Sequence, residues 1–256
     1  MYGFWVAGGM GESILLSDGE NRRIAEIVSD QNRGRVKNIM HVGAPTTERT
    51  VALARHAASV GVEAICCVPP FFYRRTDEEI VQHYRAVGDA AGLPLFAYNL
   101  PSATSIEITP ALIEKIQNAV RWMVGLKHSA TDQMHIRTFE RMELVCFTGN
   151  SRMVLPALTI GAVGCVDGPL NVAPELWMAI WNAYAGGRLR EAEAAQESAW
   201  DFVDRMLSCG GTYHALANAA LGIRLGIECG DARAPAAPLT SQQRDELEQL
   251  IQREVQ

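Results

Sequence analysis

Short apolar runs alternate with longer amphipathic segments along most of the chain. Runs such as 62–68 and 93–98 are bounded by turn-forming residues, a pattern typical of buried strands in a parallel sheet. The segments between the runs carry the capping residues of helices, and Thr76, for example, precedes three acidic residues at 77–79. This alternation predicts repeated βαβ units and an α/β fold with a parallel sheet.

The pattern contains seven strand-like runs and then becomes purely helical. The runs lie near 4–7, 36–42, 62–68, 93–98, 122–128, 144–147 and 164–166. Beyond residue 187 the segments are helical, near 189–208, 213–226 and 240–254. We therefore predict a barrel domain over residues 1–187 and a helical segment over 188–256 that packs on it.

A closed barrel of this kind needs eight strands, one more than the pattern supplies. Because the chain opens directly on a strand, we expect the first βα unit of a TIM (β/α)8-type barrel to be missing. The strands at 4–7 and 164–166 would then border a gap and expose unpaired backbone groups. We accordingly expect a chain extended at its N-terminus by roughly 30 residues, about one βαβ-type unit, to be more stable.

Composition and charge argue against several classes of function. The apolar fraction of 48% and the charged fraction of 20% are globular values, and a net charge of −6 without a basic block argues against nucleic-acid binding. The sequence has neither a long apolar run nor a signal peptide, so we expect a cytoplasmic protein without a membrane span. The six cysteines lack metal-ligand spacing, so we expect reduced core thiols, no metal and no cofactor.

One lysine closes an apolar run in a chain that elsewhere prefers arginine. The sequence has three lysines and twenty arginines, and Lys127 stands just before a polar turn. The C-terminal end of a buried strand lies at the rim where α/β folds keep their active sites. Burial disfavours the ammonium form of a lysine, and a neutral amine can attack a carbonyl to form a Schiff base. A lysine that extends from the strand end into solvent is the alternative, and this stretch alone favours neither.

Two further stretches place reactive or binding groups at strand ends. Tyr98 ends the strand one βα unit before Lys127, where it could transfer a proton, although a buried tyrosine with a satisfied hydroxyl is the commoner case. The glycine-rich turn 8–12 lacks both nucleotide-binding patterns, but its backbone N–H groups could bind a carboxylate. A tight turn between strand and helix, without a ligand, is the simpler interpretation of that stretch.

Taken together, these stretches resemble the N-acetylneuraminate lyase and dihydrodipicolinate synthase family of class I aldolases. The matching motifs keep the family's order and spacing over roughly residues 3–255. They are Gly8-Gly9-Met10-Gly11-Glu12-Ser13, His41-Val42-Gly43, Val68-Pro69-Pro70-Phe71-Phe72-Tyr73, Tyr98-Asn99-Leu100-Pro101, Gly125-Leu126-Lys127 and Gly161-Ala162-Val163-Gly164-Cys165-Val166.

The resemblance implies a (β/α)8 barrel with a C-terminal helical segment, assembled as a homo-oligomer, either a dimer or the more usual tetramer. It implies that Lys127 forms a Schiff base with pyruvate or another 2-oxo acid, that Tyr98 shuttles protons, and that an aldehyde is the second reactant. The remaining positions at which substrate binding is expected are Gly9, Met10, Val166, Ser151 and Arg152.

The chain departs from the family pattern at several of these positions. The two hydroxyl residues of the family's glycine turn, which hold the carboxylate and relay protons, fall on Gly9 and Met10. Ala103 stands where the synthase branch has an arginine, which argues against dihydrodipicolinate synthesis. The acidic pair that binds polyol hydroxyls in sialate lyases falls on Ser151 and Arg152, so we expect Arg152 to meet a substrate tail that carries a negative charge or a carbonyl.

Two functions are consistent with these residues. The retained Lys127 and Tyr98 favour a Schiff-base aldolase, lyase or dehydratase that acts on a 2-oxo acid other than the two type substrates. Met10, together with Phe72 in place of a usual tyrosine, favours a non-catalytic 2-oxo-acid-binding or scaffold protein. We favour the enzyme, a carbon–carbon or carbon–oxygen lyase.

Overall fold

The computed structural model describes residues 2–254, whose strands form one sheet in the order of the sequence. Within this range the strands are β1 (Gly3–Val6), β2 (Lys37–His41), β3 (Ala64–Cys67), β4 (Leu95–Asn99), β5 (Met123–His128), β6 (Val145–Thr148) and β7 (Gly164–Cys165). From β1 to β6 each strand pairs in parallel with the next. The predicted α/β fold with seven parallel strands is confirmed for the described residues. The outermost residues of the predicted domains, Met1 and 255–256, lie outside them.

Helices fill the segments between the strands and the part of the chain after β7. Up to β7 they are α1 (Asp18–Asn32), α2 (Thr47–Ser59), α3 (Asp77–Ala91), α4 (Pro101–Thr104), α5 (Pro110–Ala119), α6 (His135–Arg141) and α7 (Val154–Thr159), the last preceded by a 3₁₀ turn at Ser151–Met153. Those that follow are α8 (Pro169–Val172), α9 (Pro174–Ala185), α10 (Leu189–Ser208), α11 (Tyr213–Leu225) and α12 (Ser241–Glu254). The one-turn helices α4 and α8 were not predicted, because four residues are too few to show a hydrophobic repeat.

Side chains at helix N-termini explain where two of the helices begin. Thr76 Oγ1 accepts a hydrogen bond from the N–H of Glu79, whose carboxylate accepts one from the Thr76 N–H. Ser17 and Glu20 form the same reciprocal pair. Such capping boxes satisfy backbone donors that a helix start leaves unpaired, a stabilisation of about 1 kcal/mol each. They fix the starts of the helices that follow β1 and β3.

The two faces of the sheet pack against different partners. Ile65 and Leu95 belong to a large apolar cluster that includes helix residues such as Tyr84 of α3. Cys66 and Phe96, the next residues along the same strands, belong to a separate cluster. Successive side chains of a strand point to opposite faces, so one face is covered by helices. We call the other face, that of Cys66 and Phe96, the inner face.

By compactness the chain divides into two units. The first extends to Gly149 and includes Ala157–Gly164, and the second comprises Asn150–Pro156 and the chain from Cys165 onwards. The predicted boundary after residue 187 falls between α9 and α10. It was placed where the sequence pattern becomes purely helical, and it stays a prediction. In the described part of the chain, no helix has the length and hydrophobicity needed to cross a membrane.

Candidate active site

Strand register brings the two predicted catalytic residues together. Strands β4 and β5 pair with Tyr98 opposite Lys127. Residues directly opposed in paired strands project to the same face, so both side chains lie side by side at the C-terminal ends of their strands. Lys127 Nζ donates a 3.1 Å hydrogen bond to Tyr98 Oη and lies 4.3 Å from the centre of the phenol ring. Both residues are buried, with 7% of Lys127 and 4% of Tyr98 exposed.

A buried asparagine holds the end of β4 in place. Asn99 Nδ2 donates to the Ile108 carbonyl at 3.0 Å, and Asn99 Oδ1 accepts from the Ile108 N–H at 2.9 Å. The same Nδ2 lies 3.1 Å from His128 Nδ1, and the Asn99 carbonyl accepts from the Ser129 N–H at 2.8 Å. These bonds tie the loop after β4 to the end of β5, so the two catalytic candidates keep a fixed separation.

A glycine at the end of β6 leaves room for the lysine side chain. A Cβ atom on Gly149 would lie 2.9 Å from Lys127 Cε and 1.8 Å from Ser129 Oγ. Both distances are too short for real contacts, so a larger residue would displace these side chains. The Ser129 hydroxyl is buried and has no hydrogen-bond partner among the described residues. Sequence analysis gave neither Gly149 nor Ser129 a role: Gly149 reaches the lysine only through strand pairing, and the contact of Ser129, two residues after Lys127, with the Gly149 position arises in the same way.

The glycine-rich turn after β1 meets the Tyr98 hydroxyl. A Cβ atom on Gly9 would lie 3.4 Å from Tyr98 Oη, so position 9 faces the phenol. Gly9 is exposed and Met10 half-buried, and the turn is closed by a 3.0 Å hydrogen bond from the Gly11 N–H to the Gly8 carbonyl. Because glycine has no side chain, Tyr98 meets no hydroxyl from position 9. Carboxylate binding by the backbone of Gly9 and Met10 stays a prediction.

The structure places His41, to which the sequence assigned no role, beside Tyr98. His41 ends β2, is 3% exposed, and stands edge-on to the Tyr98 ring with 6.1 Å between ring centres. Its Nδ1 lies 3.1 Å from the hydroxyl of buried Ser13. Burial and the charge of Lys127 lower the pKa of His41 to about 4, against an opposing contribution from the Ala7 carbonyl. The imidazole is therefore uncharged at neutral pH. The available sequence signal was its place in one of the matching motifs.

The other predicted substrate-binding residues belong to the second compact unit. Ser151 is buried, and its N–H donates to the Asp167 carboxylate at 2.8 Å. Arg152 is exposed, and its guanidinium pairs with Asp204. Val166 follows β7 and is half-buried. The roles of these residues toward a substrate stay predictions. Asp167, which sequence analysis missed, holds the Ser151 N–H, and Trp177 and Gln196 donate to the Ser151 carbonyl.

Comparison with known sequences gives one family over the whole chain. A family model described as the dihydrodipicolinate synthetase family matches residues 1–254. The chain is 34% identical to an uncharacterised DapA-like lyase of Halobacterium salinarum, over 97% of this chain and 81% of that protein. It is 31% identical to the N-acetylneuraminate lyase of Rhizobium meliloti, over 91% of this chain and 77% of that protein.

Comparison with solved structures gives the same result. A catalytic-lysine mutant of the sialic acid aldolase of Ruminococcus gnavus is similar to the chain with a TM-score of 0.93 and 27% identity. The similarity covers 98% of this chain and 85% of that one. The predicted fold class, a TIM-type α/β arrangement, is thereby confirmed. Since the family model spans the chain and relatives more than 30% identical are named as lyases, the chain belongs to the dihydrodipicolinate synthetase family and is a lyase.

Proposed function

We propose that the protein is a class I lyase that forms a Schiff base between Lys127 and pyruvate or another 2-oxo acid. The observation that carries the proposal is the buried 3.1 Å hydrogen bond between Lys127 Nζ and Tyr98 Oη. The neutral amine is the nucleophile in imine formation, and a phenol beside it can take and return the protons that the reaction moves.

The expected reaction is a series of addition, elimination and proton-transfer steps on a substrate bound to Lys127 Nζ. Attack of Lys127 Nζ on C2 of the 2-oxo acid gives a carbinolamine, and protonation of its hydroxyl releases water and leaves an iminium ion. Loss of a proton from C3 gives an enamine, whose C3 adds to an aldehyde carbon to form the new bond; the reverse sequence cleaves that bond. Hydrolysis of the last iminium ion returns the amine. The hydrogen bond between Lys127 Nζ and Tyr98 Oη supports a role for this hydroxyl as the proton carrier in these steps.

The departures from the family pattern support a substrate other than sialic acid or the dihydrodipicolinate precursor. Ala103 and Ser151 replace polar or charged groups of the two type enzymes, as the resemblance has them. We include in the proposal an anionic substrate tail that meets Arg152. Because Arg152 pairs with Asp204, such a tail would compete with that carboxylate for the guanidinium.

The remaining elements of the proposal rest on the family resemblance. Gly9, Met10, Val166 and Ser151 would contact the substrate, and the second reactant would be an aldehyde. A dehydratase that uses the same Schiff base is an equivalent form of the proposal. Homo-oligomeric assembly and a cytoplasmic location are part of it as well.

One observation favours a second candidate, a 2-oxo-acid-binding protein without turnover. Position 9 faces Tyr98 Oη but supplies no hydroxyl, so the proton relay implied by the resemblance is incomplete at this residue. Such a protein would form the Schiff base and stop there. Borohydride trapping alone cannot separate it from the enzyme, whereas proton exchange at C3 can.

The test of the proposal is borohydride trapping with a panel of 2-oxo acids, read by intact mass. We expect one covalent adduct on the wild-type chain and none on Lys127→Ala. Lys127→Arg should also fail, because a guanidinium stays protonated and does not form the imine. The matched control is Lys115→Ala, since Lys115 is an exposed lysine paired with Asp77 at 2.8 Å, and it should trap like the wild type.

Two results would overturn the proposal. The first is a wild-type chain that traps none of the 2-oxo acids. The second is a Lys127→Ala chain that traps pyruvate as well as the wild type, since the adduct would then form on another amine.

A further inference from the structure

The polar and ring contacts of the Tyr98 phenol come from Lys127, Trp5 and His41. On one side Lys127 Nζ hydrogen-bonds its hydroxyl, and Trp5 meets its ring edge-on with 6.4 Å between centres. Position 9 faces the hydroxyl but has no side chain. A second ring contact comes from His41, edge-on at 6.1 Å with an angle of 89° between the planes. Edge-on contacts of this kind orient aromatic rings.

The imidazole of His41 is itself held on two sides. Ser13, which is buried, hydrogen-bonds its Nδ1 at 3.1 Å. Gly43 packs closely against the opposite nitrogen, because a Cβ at that position would lie 2.7 Å from His41 Nε2. The Val68 side chain approaches the same place, 3.0 Å from that Cβ position. These contacts leave the imidazole little freedom to rotate away from Tyr98.

The surroundings of His41 hold it in its neutral form. The groups on the packed elements that face it are Lys127 from β5, Tyr98 from β4, Cys66 from β3 and Ser13 from the glycine-rich turn. Burial raises the pKa of the Cys66 thiol, so that group is uncharged. None of these four groups is a carboxylate, so a proton on His41 would have no counter-ion among them.

We propose that His41, anchored by Ser13, is a positioning residue that holds the Tyr98 phenol against Lys127. This inference rests on the proposed Schiff-base function and adds a residue to it. Apart from the hydrogen bond between its ring and the Ala7 backbone that raises its pKa, His41 has no partner of good geometry for Nε2 among the described residues, so burial of this nitrogen is poorly compensated. An apolar side chain would avoid that cost, so stability alone does not explain a histidine here.

The chain offers a matched control in His83 of α3. His83 is 2% exposed, its Nδ1 lies 2.9 Å from the Thr47 hydroxyl, and its Nε2 likewise has no partner among the described residues. Burial lowers the pKa of His83 to about 4, as for His41. Its ring contact is with Tyr84, which belongs to the helix-covered cluster. His83 is therefore a buried histidine with a lowered pKa, like His41, but its ring packs against Tyr84 and not against Tyr98.

The experiment measures deuterium exchange into the methyl group of pyruvate in D2O by proton NMR, beside borohydride trapping. Exchange reports the C3 proton transfer and needs no aldehyde. We expect His41→Leu to trap pyruvate but to exchange about 100-fold more slowly, the loss that small misplacements of a reacting group cause. His41→Phe, which keeps an aromatic edge, should exchange faster than His41→Leu. Ser13→Ala should lower exchange while His41 remains, and His83→Leu should match the wild type.

A double-mutant cycle separates positioning from a general structural role. Tyr98→Phe should retain trapping and lose about 10²–10⁴-fold in exchange, because the proton-transfer hydroxyl is gone. If His41 acts through that hydroxyl, adding His41→Leu to Tyr98→Phe should cause no further loss. Additive losses, or wild-type exchange in His41→Leu, would overturn the inference while leaving the Schiff-base function intact. A wild-type chain that forms no adduct with pyruvate or any other 2-oxo acid would overturn both.

Discussion

The absence of a side chain at Gly9 is the residue-scale feature that most distinguishes this site. A Cβ there would lie 3.4 Å from Tyr98 Oη, and apart from its chain neighbours no other heavy atom of the described residues lies within 4 Å. The Gly9 backbone is not among those with positive φ, so a larger residue is compatible with its conformation. The position is therefore open both sterically and conformationally, and a hydroxyl placed on it would reach the phenol.

This geometry predicts a gain of activity on substitution. Gly9→Ser should add a hydroxyl beside Tyr98 Oη and raise deuterium exchange into pyruvate by about 10-fold, a part of the effect of a positioned acid–base group. Gly9→Ala is the matched control, since it adds the same Cβ without the hydroxyl and should not raise exchange. Equal rates in Gly9→Ser and Gly9→Ala would show that the hydroxyl is not what limits proton transfer.

At the scale of elements, the site is assembled where the ends of β4, β5 and β6 meet. Lys127 lies opposite Tyr98 on one side and opposite Phe147 of β6 on the other. The chain continues from β6 into Gly149, whose N–H donates to the His128 carbonyl at 2.8 Å. This bond holds the loop after β6 against the end of β5. A larger side chain in that loop would therefore change the conformation of Lys127.

The coupling between this loop and Lys127 predicts a selective defect from one methyl group. Gly149→Ala would place its Cβ 1.8 Å from Ser129 Oγ and 2.9 Å from Lys127 Cε, so both side chains must shift and the lysine is disturbed in its position against Tyr98. We expect the rate of borohydride trapping to fall by about 10²-fold, as for other small displacements of a reacting group. Gly187→Ala is the steric control, because nothing lies within 4 Å of a Cβ there, although its positive φ adds some strain. Trapping at the wild-type rate in Gly149→Ala would contradict the coupling.

The sequence predicts those structural features whose signal lies within a few consecutive residues. Helix α3 begins where Thr76 and the acidic residues after it indicated, because a capping box involves only four consecutive residues. Lys127 and Tyr98 were found because each ends an apolar run. Ser13 and His41, in contrast, are separated by 28 residues, and only pairing of their strands and turns makes them neighbours. Their partnership has no local signature, so one sequence alone could not reveal it.

At the scale of the whole molecule, buried imidazoles link folding to pH. Burial lowers the pKa of His41 and of His83 from 6.5 to about 4, and it lowers the pKa of His128 as well. In the unfolded chain these histidines regain ordinary values near 6.5. Between about pH 4 and pH 6.5 the unfolded state therefore binds more protons than the folded state, so the free energy of unfolding falls as the pH falls through this window.

Acidification should therefore destabilise the protein well above the range in which its carboxylates titrate. At pH 5.5 the loss relative to pH 7.5 is expected to be about 1 kcal/mol for each of His41 and His83. The Arg49 guanidinium holds the pKa of Asp18 below its usual range, so that carboxylate contributes its own loss only at lower pH. Urea unfolding at the two pH values measures the difference, and His83→Leu should remove about one imidazole's share of it without touching the site. Equal unfolding free energies at both pH values, or an unchanged difference in His83→Leu, would mean that these imidazoles accept protons within the fold.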